Sequence, residues 1–251
     1  MSAIVWGVGQ LGAVFAHGLL RRGHPVTPIR RGDDPAEVAR RGTPELVMIT
    51  VGEPDLPGVL EHCPEVFRDR LVLVQNELLP ASWTPYPVEP TVAVVWFEKK
   101  KATALHPIVP TPVAGRLAAE VVACLSTIDV PAVEVPIDRI VPELVLKNLY
   151  ILAANIGGLA VGGGTVGELM DRHRPLVDEL THEIVEVQSQ LTREPLDESE
   201  LRSELLRVFR ADPDHAAMGR TAPARLRRFV AAAQELGVPV PRAVRISRSH
   251  D

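Results

Sequence analysis

Two stretches hold the residues able to do chemistry. Near the start, IVWGVGQLG sets Gly7, Gly9 and Gly12 in G-x-G-x-x-G spacing, directly after an apolar run and at the head of a helical pattern. In that context each glycine has a task. The first permits a tight turn, the second lets backbone approach a pyrophosphate, and the third lets helix and strand pack closely. The helix start adds unpaired N–H groups for the phosphates. The second stretch, LKNLYILAANIGG, carries Lys147, Asn148 and Asn155 in otherwise apolar surroundings. Buried polar groups are costly unless something satisfies them. On a helix, Asn148 and Asn155 fall almost on one line, and Lys147 and Asn155 differ by about 80° and 12 Å. All three can therefore face one cleft. A partly desolvated lysine there can give a proton to a carbonyl oxygen during hydride transfer, while the asparagines hold substrate or ribose. Equally, the lysine can snorkel to solvent while the asparagines bond neighbouring helices.

Cofactor preference is written at the end of the second strand-like run. A dinucleotide site for NAD usually places an acid there for the ribose hydroxyls, whereas one for NADP uses arginine for the 2′-phosphate. HPVTPIRRGDD ends in Arg30 and Arg31, with Arg30 directly after Ile29. This favours NADP. The competing assignment makes both arginines loop charges and lets Asp33 or Asp34 reach the ribose.

The elements that must position these groups follow from periodicity. AIVW, PVTPI, ELVMITV, LVLVQ and TVAVVWF are strand-like, with a helical pattern over Leu11 to Arg22 between the first two. Such alternation means a parallel sheet covered by helices. From Gly115 to Ile128 the pattern is helical, and beyond VPAVEVPIDR no further strand is expected. Helices are expected over Val141 to Val161, Pro175 to Leu191, Glu198 to Phe209 and Ala222 to Leu236, the last closed by Gly237. The fold class is thus α/β: an N-terminal Rossmann-type doubly wound parallel sheet over residues 1–137, followed by an all-helical C-terminal domain over residues 138–251. Prolines cluster between Pro80 and Pro112, where they suggest fixed turns and edge positions.

Composition narrows the classes. The 251 residues are 46% hydrophobic, enough for a sizeable core, and the formal charge of -5 comes from mixed signs with no basic block, which argues against nucleic acid. Cys63 and Cys124 stand apart without metal-ligand spacing, so no metal site and no disulfide framework are expected. Met1 leads straight into an apolar strand rather than a signal, and the longest apolar run falls short of a membrane span. A cytoplasmic location, with no membrane partner, is expected.

GVGQLG, the VQN of Val74 to Asn76, the LKN…AANIGGLAVG…VGEL region and the C-terminal MGRTAPARLRRFVAAAQELGVPVP together resemble the ketopantoate reductases over nearly the whole chain. The resemblance implies a Rossmann domain that binds NADPH, a helical domain opposite it and reduction of a 2-oxo acid. It matches Gly7, Val8, Gly9, Gln10, Leu11, Gly12 and Arg30 to cofactor positions. Asn76 matches an asparagine shared by cofactor and substrate, Lys147 the general acid and Asn155 a substrate asparagine. A homodimer through the helical half is also implied, and the apolar stretch after Lys147 serves equally as subunit interface or internal core.

Departures from the family pattern gather on the substrate side. Ile151 stands where the family has an asparagine four residues after the lysine, and ITVGEP with Gly52 replaces a V-K-A-like motif. Val166-Gly167 replaces asparagine-glycine, and Thr221, Ala222 and Pro223 occupy the region of a family glutamate. The family's QNG is here QNE, with Glu77. The expected function is an NADP-dependent reductase of a small-molecule carbonyl that depends less on carboxylate recognition than ketopantoate does. The alternative is a catalytically lapsed NADP-binding sensor or structural protein of the same fold. His106 and His215 lie in loop-like segments and are further candidates for proton transfer. Glu98 to Lys101 most simply protects a sheet edge.

Overall fold

A computed structural model of the chain describes residues 2–250, which form two compact units that divide between Leu144 and Val145. In the first unit the order is β1 (Ala3–Trp6), α1 (Gln10–Arg21), β2 (Val26–Ile29), α2 (Pro35–Arg40), β3 (Leu46–Ile49), α3 (Leu56–Glu61), β4 (Leu71–Leu73) and β5 (Thr91–Ala93). There follow β6 (Phe97–Glu98), β7 (His106–Pro107), β8 (Thr111–Ala114), α4 (Ala118–Ser126) and β9 (Ala132–Glu134). The seven-stranded sheet runs β2-β1-β3-β4-β5-β8-β9, parallel except where β5 meets β8. Chain order reverses on either side of β1, so the crevice beyond the carboxyl ends of β1 and β3 is the ligand position such sheets offer.

The expected strand TVAVVWF is broken. Thr91–Ala93 pairs in the main sheet, whereas Phe97–Glu98 pairs with His106–Pro107 in a separate ribbon. The intervening backbone bonds irregularly: Val94 N donates to the Pro112 carbonyl at 2.9 Å and Trp96 N to Thr111 Oγ1 at 3.1 Å. The partner is β8, which the proline density disguised as turn. Pro112 sits in an interior strand because the chain there asks for its carbonyl.

The core of this unit lies between the sheet and the helices α1 and α4, around Phe15, Leu19, Val72, Val121 and Leu125. Gly18 lets α1 reach α4 at close range, since a Cβ there would stand 2.6 Å from the Cys124 carbonyl oxygen. A polar clasp closes the same helix pair. Arg22 donates twice to Glu120 at 3.0 Å, and His24 Nε2 lies 2.8 Å from the same carboxylate. Burial pushes the Glu120 carboxyl up, but hydrogen bonds and charge from Arg22 and His24 outweigh it and hold the group below its ordinary value. Cys63 and Cys124 are free and buried, and burial pushes the Cys124 thiol up to about 12.

α5 (Ile140–Val161) begins in the first unit and continues into the second. It is apolar and long enough to cross a membrane, yet most of it is buried inside the protein, as in the core helix of a globular fold. Behind it come α6 (Val166–Arg172), α7 (Arg174–Thr192), α8 (Glu198–Ala211), α9 (Ala222–Leu236) and α10 (Pro241–Arg248). Gly237 closes α9 at φ +68°, in the left-handed conformation expected of it. Leu226, Phe229 and Ala233 face the core from α9. Two short helices went unanticipated. α6 is started by Thr165, whose hydroxyl accepts from Glu168 N while the Glu168 carboxylate accepts from Thr165 N. α10 is started by Glu183 of α7, whose carboxylate accepts from Arg242 N and Ala243 N. That cap lies 59 residues upstream, invisible to local pattern.

Candidate functional site

The glycine turn has three different environments. Gly7 adopts φ +101°, and a Cβ on it would lie 2.7 Å from Val51 N, so only glycine fits both the conformation and the space. Gly12 is pressed against the end of β1: a Cβ there would stand 2.3 Å from the Gly7 carbonyl oxygen and 2.8 Å from Thr50 Oγ1. Around Gly9 a Cβ would meet nothing within 4 Å. The turn is therefore packed on two sides and open at its middle glycine. α1 begins immediately after it, and its Gly9 N-cap provides no side-chain cap, which leaves first-turn N–H groups unclaimed by a cap. A phosphate fits this arrangement by charge and by hydrogen bonding.

Two buried polar residues that sequence reading passed over brace the turn. Thr50, one residue beyond β3, donates its hydroxyl to the Gly7 carbonyl at 2.6 Å. Gln75, just past β4, donates through Nε2 to the carbonyls of Ile49 at 2.8 Å and Val51 at 3.2 Å, while its Oε1 accepts from Val74 N. These bonds tie together the carboxyl ends of β3 and β4 and set the exit of the chain into Asn76. The only signal in the sequence was position, a polar residue ending each apolar run.

Asn76 follows this latch and is partly exposed; Val8, Gly9 and Gln10 are exposed and Leu11 is half-buried. Glu77 takes φ +55°, a left-handed conformation that suits glycine better than glutamate.

On the other side of β1, Ile29 ends β2 fully buried and Arg30 emerges exposed. Asp33 accepts from Arg30 N at 2.7 Å, and Asp34 accepts from Ala36 N as the cap of α2. Both acids that competed for the ribose role are engaged with local backbone. Arg31 lies 3.5 Å from Asp55, both well exposed. Arg30, the glycine turn and Asn76 thus occupy the carboxyl ends of the neighbouring strands β2, β1 and β4, with β3 between the last two.

Lys147, Asn148 and Asn155 belong to the second unit. Lys147 is partly buried, and its Nζ stands 5.5 Å from the centre of the Tyr150 ring. Asn148 takes the interhelical use: it is 3% exposed and donates to Gln188 of α7 at 3.2 Å, and its buried Oδ1 has no partner among the described residues. Asn155 donates to the Ile151 carbonyl of its own helix at 2.7 Å and accepts from Gly219 N at 3.4 Å. The shared line predicted for the two asparagines holds along the helix, but different elements cover its two ends. Ile151, Val166 and Ala222 are buried, whereas Pro223 is partly buried and Thr221 is exposed. His215 Nδ1 lies 3.3 Å from Asp212 Oδ2, whereas His106 is exposed on β7. No cluster of metal-ligating side chains occurs among the described residues.

No protein-family model matches the chain, and no curated protein matches it. Solved structures do. A ketopantoate reductase of the PanE/ApbA family from Ralstonia eutropha JMP134 superposes with a TM-score of 0.71 at 17% identity, over 99% of this chain and 97% of that one. The dimeric ketopantoate reductase from Staphylococcus aureus gives 0.64 at 15% identity, over 99% and 97%. A D-mandelate dehydrogenase, in a ternary structure with NADH and anilino(oxo)acetate, gives 0.69 at 13% identity, over 99% and 96%. The chain shares the fold of these reductases at a sequence identity of 13–17%.

Proposed function

We propose that the protein is an NADP-dependent reductase of a small carbonyl compound, with Lys147 as the general acid. The observation that carries this is the economy of lysine. The chain has 23 arginines and only four lysines, three of them consecutive at residues 99–101 and the fourth at Lys147, inside the apolar helix. Arginine stays protonated and cannot act as a proton donor at neutral pH, whereas a lysine amine exchanges its proton readily. A cation with no chemical task would be as well served there by arginine.

A bound reduced nicotinamide would supply the hydride to the carbonyl carbon. The chain's own contribution is the rest. Backbone N–H groups at the start of α1 and the open face of Gly9 take the pyrophosphate, Arg30 pairs with the 2′-phosphate, and Asn76 and Asn155 orient the reactants. The Lys147 ammonium passes its proton to the carbonyl oxygen as negative charge develops on it, leaving a neutral amine that solvent reprotonates. Asn148 is left to helix packing. A homodimer and a cytoplasmic setting, in which the buried thiols stay reduced, complete the proposal.

The test is a fluorescence titration with NADPH and with NADH as competitor, followed by a carbonyl panel run on the protein and on Lys147→Ala. Micromolar, NADPH-selective binding and a loss of about 10²-fold or more in turnover on removing the lysine are expected. Undiminished turnover of the variant would sink the role of Lys147. A second reading, a catalytically lapsed NADP-binding protein, is favoured by one observation: Ile151 and Val166 are buried apolar residues where the family pattern that the sequence resembles has asparagines. NADPH binding without turnover of any carbonyl would select it.

A further inference from the structure

We propose that the Tyr150 ring is the seat that positions the Lys147 ammonium, and that His215 and Phe209 hold that ring in place. The inference rests on the role proposed for Lys147 but is decided by a different measurement. Lys147 and Tyr150 are three residues apart on α5, hence neighbours on one face, and the ammonium lies 5.5 Å from the ring centre, within cation–π range. Such a pair on an exposed helix would mean little. Here the ring is 4% exposed and clamped. Phe209 of α8, fully buried, meets it edge-on at 5.5 Å and 68°, and His215 meets it at 5.9 Å and 60°.

His215 is itself held. Asp212 stands 3.3 Å from its Nδ1, and the surrounding segment is laced to the start of α6. Val166 N donates to the His215 carbonyl, Gly167 N to that of Pro213, and Ala217 N to that of Gly164. Two glycines admit the segment so closely: a Cβ on Gly167 would lie 2.9 Å from the Pro213 carbonyl oxygen, and one on Gly158 equally close to that of Ala217. The imidazole is therefore a fixed wedge. In the family pattern an asparagine follows the lysine by four residues, and this chain has buried Ile151 there. The ring at the third residue takes over as the neutral partner of the ammonium. Because its quadrupole favours the charged form, it keeps the amine protonated and aimed.

Reductive methylation with ¹³C-formaldehyde labels four lysines, of which three are consecutive, so the Lys147 signal can be assigned with Lys147→Ala. No nucleotide and no turnover of a carbonyl substrate is needed, which separates this test from that of the reductase activity. In the unsubstituted protein the Lys147 methyl signal is expected upfield of the other three, shifted by the ring. Tyr150→Phe should keep that displacement. Tyr150→Leu should abolish it and lower the Lys147 titration midpoint by about half a unit or more. His215→Asn should shrink it. Glu143 one turn earlier on α5, and Asp212 and His215 on the segment against Tyr150, are titratable groups that the two Tyr150 variants leave unchanged. A Lys147 signal coincident with the other lysines in the unsubstituted protein would overturn the proposal, whether or not Tyr150→Leu folds. So would an unchanged displacement in a folded Tyr150→Leu.

Discussion

Gly12 lies so close to Gly7 that a single methyl group on the former would stand 2.3 Å from the carbonyl oxygen of the latter. Two glycines of the turn are thus packing residues, while Gly9, with nothing within 4 Å of its Cβ position, faces open space. Gly9 has φ -96°, which any residue adopts. Gly12→Ala should therefore destabilise the fold by about 2–4 kcal/mol through overpacking against backbone. Gly9→Ala should melt within about 0.5 kcal/mol of the parent and still bind NADPH at least about tenfold more weakly. Thermal denaturation beside nucleotide titration separates the two; equal loss of stability in both variants would contradict the assignment.

Arg30 emerges beside the turn while Asp33 and Asp34 are engaged with backbone. A charge-assisted pair with a phosphate contributes about 1.5–3 kcal/mol, so Arg30→Ala should weaken NADPH by about 10- to 100-fold. NADH, lacking the 2′-phosphate, should change less than twofold. Equal weakening of both nucleotides would remove Arg30 from the specificity role.

At Glu77 the backbone is left-handed, at φ +55°. Replacing it with glycine relieves a backbone strain of about 1–2 kcal/mol, against about 0.5–1 kcal/mol of added unfolded-state entropy. The same change removes a negative charge next to Asn76, and NADPH affinity should rise about two- to fivefold, more at low salt. A drop in affinity would mean that the carboxylate serves the ligand.

The clasp of Arg22 and His24 on Glu120 makes stability depend on acid. The folded carboxyl titrates below its ordinary 4.5, so its contribution is complete above that value and is lost as pH falls through the lower folded value. Glu120→Gln should cost about 1–2 kcal/mol at neutral pH and flatten the acid limb of the stability profile below about pH 4.5. Urea midpoints taken across that range would show it, and parallel acid limbs would refute the clasp.

Much of this architecture was legible in the sequence because its signals are local. Strand, glycine turn and helix follow one another within a dozen residues, and Gly237 ends α9 by a backbone preference that needs no partner. Lys147, the single lysine among the arginines of the helical half, is likewise visible without coordinates. What tertiary structure decided depends on partners far along the chain. Pro112 reads as a turn until Val94, one residue past β5, supplies a donor for its carbonyl. α10 has no visible start until Glu183 caps it. Asn148 and Asn155 share a line on α5, yet Gln188 takes one and Gly219 the other. A helix register shows which residues can look the same way, but the elements that pack over them determine what each one meets.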